Sequence, residues 1–340
     1  VYGQMVSVYQ YPQAAALVLG GSTVAAVLVG LVYGKGKRVW CRHLCPVSGV
    51  FALLAKLSPL SYRTDQAQWE AYNRARRDGK NDRMPAPDCA PLIALKQLDS
   101  ASDCHMCSRC SGYKGAIALT SRPLGSEIVT PPVARPPNVW EFVLIVYGLL
   151  GVAVGAFHWS ASPWFVTAKQ SLAVWLFDHG GGWWVETTTP WWLLTHYDAN
   201  NDVFTLLDGI CLVGYIALTA ALLGSLVAGA LALANRALGS WQWRRLYQLS
   251  YSLIPLAGVG VFLGLSMTTL ALLKAEGLSL WWRAEARVVL MGLAAAWSAH
   301  LAWQVTGCYA SGLRRGLAWL ATVLCQAPVL GAWWLLFWGW

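Results

Sequence analysis

Uncharged apolar runs of about 20 residues, the length an α-helix needs to cross a hydrocarbon core about 30 Å thick, recur along this chain. They predict six spans, at residues 14–33, 139–157, 203–234, 247–273, 288–306 and 317–338. The stretches between them divide the chain unevenly. Residues 1–33 form an outer N-terminus and the first span, 34–138 a large polar insertion, 139–157 the second span, 158–202 a Trp-rich connection and 203–340 a four-helix membrane domain. Inside the insertion, 47–58 is apolar but too short to span and is stopped by Pro59, so it is expected to lie along the membrane interface with Lys56 snorkelling. Pro131, Pro132, Pro136 and Pro137 read as a stiff, extended linker into the second span. The predicted class is an all-α polytopic membrane protein of about six transmembrane helices.

Composition supports that pattern. With 56% hydrophobic and 12% charged residues over 340 positions, the chain does not describe two soluble domains. Many of its 21 Trp flank the apolar runs, where an indole sits well at headgroup level. Charge then supplies direction, because Lys and Arg are retained on the cytoplasmic side. One set of connections carries Lys35, Lys37, Arg38, Arg42, Lys56 and the further basic residues through Arg135, together with Arg236, Arg244, Arg245, Arg314 and Arg315. The other set carries only Lys169, Lys274, Arg283 and Arg287. The insertion is therefore expected in the cytoplasm of a bacterium, with Val1 and Trp340 outside a multi-pass inner membrane. The net charge of +9 sits where topology demands it, so nucleic acid is not expected as a partner.

Six of the nine cysteines lie in the insertion. Cys104, Cys107 and Cys110 form C-x2-C-x2-C, a spacing that lets three thiolates take three irons of one 4Fe-4S cube while a fourth ligand comes from elsewhere. Structural zinc uses well-separated Cys pairs, which the central thiolate of this run fits poorly. A bacterial ferredoxin would place its fourth Cys, followed by Pro, where this chain has Lys114. Cys45-Pro46, preceded by Cys41, supplies the missing dipeptide and makes Cys45 the favoured fourth ligand, with Cys89 as the other candidate.

A basic stretch after a transmembrane helix, then Trp40-Cys41-x3-Cys45-Pro46, an apolar helix and a later C-x2-C-x2-C resembles the membrane-bound polyferredoxins. These include the NapH and NosR types of quinol-linked reductase systems and ferredoxin-like accessory proteins of oxidase assembly. The resemblance spans about residues 32–119. It implies a ferredoxin-like iron–sulfur insertion at the membrane surface, exchanging electrons between quinone in the bilayer and a partner in water. The family usually has two C-x3-C-P motifs and two complete C-x2-C-x2-C-x3-C-P runs; this chain has one of the first and an incomplete copy of the second. Two cubes need eight thiolates and six are offered, so one 4Fe-4S cluster is expected, and a second centre requires an unusual ligand set.

The remaining polar residues carry weaker signals. His300, with Gln304 and Cys308 following at i+4 and i+8 in the fifth span, offers hydrogen bonds to a quinone headgroup; the alternative is a pair that satisfies itself or a neighbouring helix. His158 lies at the outer end of the second span, at a depth that does not match His300, so a bis-His haem is not expected. Asp198, Asn200 and Asp202 imitate a calcium loop, but Val203 and Gly209 stand where it needs Gly and Glu. His179, Glu186 and His196 show no ligand spacing, and the Trp183-Trp184 and Trp191-Trp192 pairs suit a membrane or subunit contact. Cys211, Cys308 and Cys325 read as small apolar residues, and Ser225/Gly229 and Gly260/Gly264 as close-packing positions.

The expected function is an electron-transfer component of an oxidoreductase, relaying electrons between quinone or a soluble donor and other subunits of a membrane respiratory complex. The alternatives are a metal reductase or assembly factor for a respiratory oxidase, and a non-catalytic structural or transport subunit. Transport favours charged residues inside spans and broken-helix symmetry, neither of which the sequence shows.

Overall fold

The computed structural model describes every residue except Lys35, Gly36, Arg38 and Asp103. Lys35 and Arg38 of the basic stretch and Asp103 of the cysteine run therefore lie outside the described residues. Among the described residues, six helices are long and apolar enough to cross a membrane: Pro12–Val32, Val139–His158, Leu206–Ala237, Ile254–Ala275, Arg283–Gly307 and Gly312–Gly339. The chain is thus a six-helix polytopic membrane protein, as its apolar runs predict.

The edges differ where local chemistry, rather than hydropathy, stops a helix. The third span starts at Leu206 because Thr205 caps it: Asp208 accepts a hydrogen bond from the Thr205 amide at 2.9 Å, and the Thr205 hydroxyl accepts one from the Asp208 amide at 3.4 Å. The fourth is shorter than expected. Residues Trp243–Tyr251 form a separate amphipathic helix, and the span begins at Ile254 with Pro255 in its first turn, where proline is tolerated. The last span is interrupted at Cys325 between the helices Gly312–Leu324 and Gln326–Trp334.

Spans two to six share one core, which includes Ile145, Leu149, Leu223, Leu231, Leu256, Leu301 and Trp333. Glycines permit the closest approaches. A Cβ on Gly151 would fall 2.8 Å from the Ala220 Cα on the third span, while Gly260 and Gly264 lie against the Trp333 and Phe157 rings. Gly229, by contrast, has open space where a Cβ would stand, with nothing within 4 Å, so the Ser225/Gly229 pair faces away from the bundle. The first span stands apart: none of its apolar window is buried within the chain, against 28–44% for the other five.

The Trp-rich connection contains a helix, Pro163–Asp178, capped by Ser162, and a two-residue pairing of His196–Tyr197 with Asp202–Val203. The N-terminus docks on it. The Thr195 amide donates to the Met5 carbonyl at 2.8 Å, and Tyr11 donates to Asp202 at 2.7 Å while stacking on Tyr197 at 3.6 Å. Asp198, Asn200 and Asp202 therefore form a small hairpin turn, with Asn201 in the left-handed region.

The insertion begins with helix Pro46–Ala55, which packs into the bundle instead of lying along the interface. Leu53 is fully buried, Gly49 meets Leu144 of the second span and Leu54 meets Gly258 of the fourth. Lys56 does not snorkel: it is 2% exposed and lies 3.8 Å from Glu127 and 3.5 Å from Glu141. Beyond it, strands β1 (Leu60–Thr64) and β2 (Ile117–Ser121) pair antiparallel, with Leu60 opposite Ser121. Between them lies helix Gln66–Arg77, whose N-terminal amides at Ala67 and Gln68 donate to Asp65. Tyr62, Trp69, Leu98, Ala116 and Ile117 form a second small core here, on which Cys104 and Cys110 pack.

Candidate metal centre

The cysteine run is carried by a loop entering β2, and its backbone departs from ordinary helical or extended geometry. Met106 and Ser108 both adopt left-handed backbone angles, at φ 50° and 61°. Non-glycine residues rarely accept this conformation, which costs on the order of 1–3 kcal/mol each and persists only where surrounding structure enforces it. Alternating handedness turns successive amides toward the inside of the loop, the concave arrangement found around phosphates and iron–sulfur groups. Consistent with this, the Met106 amide donates to the Cys104 sulfur at 3.3 Å. The loop is held from the sheet by Tyr62, which donates to Ser108 at 2.8 Å.

Cys89 approaches from a separate strand of chain. Its sulfur accepts from the Ile93 amide at 3.5 Å, and Ile93 packs on the same small core as Cys104 and Cys110. Its neighbour Asp88 pairs with Lys37 and lies 3.5 Å from Arg109. One carboxylate therefore gathers the segment before Cys41, the segment of Cys89 and the residue preceding Cys110. Burial raises the Cys110 thiol above its ordinary range, with Cys104 raising it further and Cys89 and Cys107 adding smaller effects. Cys104, Cys107 and Cys89 are thus electrostatic neighbours of Cys110.

Cys41 is exposed in the helical turn Trp40–Leu44, and Cys45 is half-buried as the N-cap of helix Pro46–Ala55. Among the described residues, no three His, Cys, Asp or Glu side chains close on a point suited to a single metal ion. Cys104, Cys107, Cys110 and Cys89 are thiols, the donor type a 4Fe-4S cube takes, one to each iron.

Lys114, at the position of the missing fourth cysteine, is turned toward helix Gln66–Arg77. Its ammonium lies 4.0 Å from the Trp69 ring centroid, 5.5 Å from Tyr72 and 5.6 Å from Tyr113, and donates to Asn73 at 2.8 Å. Trp69, Tyr72 and Asn73 are spaced i, i+3, i+4 and present one helix face to it. Lys114 is thereby a packing residue of the insertion.

His300 and Gln304 satisfy each other, with 3.0 Å between the histidine Nε2 and the amide nitrogen. His300 is exposed on the fifth span. Cys308, two turns on, is 3.8 Å from the Val129 carbonyl, so this helix face leads to the end of the insertion. Cys211 is half-buried and Cys325 buried within spans, as expected for apolar positions. His158 is buried with its Nε2 unpartnered and packs edge-on to Trp340. His196 lies 3.3 Å from Asp198, whereas His179 stacks on Trp175.

Sequence reasoning missed Asp88, Tyr62 and the left-handed residues, since none belongs to a recognisable spacing. Comparison with curated proteins and with solved structures gives no match. Residues 17–63, from the first span through Cys41 and Cys45 into β1, match the family model of a 4Fe-4S binding domain, which makes this chain similar to iron–sulfur proteins of that domain type.

Proposed function

We propose that the chain is a membrane-bound electron-transfer subunit whose insertion holds one 4Fe-4S cluster on Cys104, Cys107, Cys110 and Cys89. The observation that carries this reading is the convergence of Cys89 on the C-x2-C-x2-C loop through Asp88, its two basic partners and a shared apolar core. That proximity favours Cys89 over Cys45 as the fourth ligand. Cys41 and Cys45, linked to the same region by Lys37, remain for a second centre or a partner-dependent one. When bound, the cluster supplies one-electron transfer; the residues around it supply amide hydrogen bonds and burial, which tune its potential.

The bias of Lys and Arg supports a cytoplasmic location for the insertion in a bacterial inner membrane. His300 and Gln304 provide the hydrogen-bonding pair for a quinone headgroup at the bilayer face nearest the insertion, with a respiratory oxidoreductase as partner. The exposed first span supports such a subunit contact.

Anaerobic purification followed by iron, sulfide and EPR measurement tests the core of this reading. About four irons with matching acid-labile sulfide are expected; zinc without sulfide defeats it. Cys89→Ser is expected to remove or convert the reduced-cluster signal, and a Cys45→Ser variant to retain it. The reverse result reassigns the fourth ligand. His300→Ala should slow reduction by quinol but not by dithionite; equal rates with quinol make His300 a packing residue.

A further inference from the structure

Where the insertion meets the membrane helices, the structure buries a set of charges that electron transfer does not use directly. Glu127 is 3% exposed and occupies the short helix Ser126–Val129. Its Oε2 accepts from Arg122 at 2.7 Å and from the Ala101 amide at 3.1 Å. Its Oε1 accepts from the Ser100 hydroxyl, and from Ser102 at 3.4 Å. Lys56 lies between Glu127 and Glu141 of the second span, with its ammonium 5.0 Å from the Tyr251 ring, while Tyr251 donates to Glu141.

Two cations, Lys56 and Arg122, balance two carboxylates, Glu127 and Glu141. A mutually bonded set of balanced charge is tolerated in a low dielectric, and this favours a fixed anchor. What the anchor holds is specific. Ser100, Ala101 and Ser102 immediately precede the cysteine run. Ala101 gives its amide hydrogen to Glu127 and receives the Cys104 amide hydrogen on its carbonyl at 3.2 Å. Two consecutive hydrogen bonds thus connect a buried carboxylate to the backbone of Cys104.

We infer that Glu127 is a positioning residue for the iron–sulfur cluster: it fixes the 100–102 backbone from which Cys104 is suspended, and through Lys56 ties that loop to the second span. This rests on the electron-transfer reading above. Charge-assisted bonds from four donors to one carboxylate are strong and directional enough for the role. Their effect should reach the cluster's potential and electronic symmetry, because both respond to how the ligating loop is held.

The test uses the full chain, purified anaerobically in mild detergent and reduced with dithionite. Glu127→Gln is expected to change the EPR line shape and displace the midpoint potential. That substitution leaves Lys56 and Arg122 with too little countercharge and can prevent folding. The Lys56→Met/Glu127→Gln double variant removes one charge of each sign, restores net neutrality and should fold with the altered line shape retained. Lys56→Met alone leaves every loop contact of Glu127 in place but removes one countercharge from the two carboxylates; the folded fraction of this variant should keep the parental line shape. Ser100→Ala removes one partner and should give a smaller change in the same direction; if neither Glu127 variant accumulates, this variant decides. A parental spectrum and potential in the folded double variant, or in Ser100→Ala when it alone is obtained, overturns the inference. Parental protein lacking iron and sulfide overturns the electron-transfer reading instead, so the two failures are distinct.

Discussion

Replacing Lys114 separates a missing ligand from a packing residue. Lys114→Met keeps the alkyl stem and a non-glycine side chain at φ 55°, so backbone strain is held constant while the charge is removed. The ammonium lies 4.0 Å from the Trp69 ring centroid, close enough for a cation–π attraction of about 0.5–2 kcal/mol. Its 2.8 Å hydrogen bond to Asn73 is half-exposed and adds about 1 kcal/mol. Desolvation opposes both, and with Arg76 nearby it holds the Lys114 ammonium below the ordinary lysine range. The net loss is therefore about 1–2 kcal/mol, or roughly 5- to 30-fold in the equilibrium for local opening. Hydrogen–deuterium exchange of helix Gln66–Arg77 in the detergent-solubilised chain reads this directly, and exchange there should accelerate by that factor. Iron and sulfide should stay at parental levels, because the ammonium is directed to the helix and not to the sulfurs. Lys114→Cys should likewise fail to rescue Cys89→Ser. Unaltered exchange in Lys114→Met, or loss of iron in proportion to it, refutes the packing role.

Removing iron by chelation under reducing conditions should accelerate exchange across residues 101–115 while leaving the spans protected, since the two cores are built from separate residues; uniform acceleration would show that the membrane core depends on the cluster. Gly151→Ala places a methyl 2.8 Å from the Ala220 backbone and should destabilise the bundle by about 1–3 kcal/mol, whereas Gly229→Ala, with open space around it, should be near neutral. Thermal unfolding in one detergent compares the two, and equal losses would count against this helix pairing. Thr205→Val removes the cap of the third span at a cost of about 0.5–2 kcal/mol, measurable in the same assay.

The spans were legible because crossing a bilayer requires only length and apolarity, which a single chain displays without tertiary knowledge. Their edges were less so. Residues 247–253 are apolar enough to extend the fourth span, and only the break before Ile254 and Pro255 separates them as an amphipathic helix. The three-cysteine run was also legible, since its spacing is local. A fourth ligand is harder to read, because a thiol delivered from a distant segment obeys no spacing rule. Cys45 carries the familiar proline, while the proposal of Cys89 rests on the ion pairs of Asp88 with Lys37 and Arg109, which no motif encodes.

Lys56 shows why an apolar helix too short to span need not lie along the interface. A lysine ending an apolar helix beside a membrane reads as an interfacial cation, and the number of charges is the same whether it reaches water or is buried. What decides is whether carboxylates arrive to meet it. Glu127 and Glu141 do, from opposite ends of the proline-rich linker, so burial becomes tolerable. The same junction satisfies backbone as well as charge. Gln248 donates to the carbonyls of Ile128 and Val129, the final residues of a helix too short to bond them internally, and Gly125 accommodates Leu301 of the fifth span. The insertion is consequently seated on the bundle by its own carbonyls and charges, while the linker beyond it leaves Val133 98% exposed and bears little of that load. A redox centre held in this way keeps one distance from the membrane helices, the condition for electron exchange at a fixed site rather than by diffusion of a tethered domain.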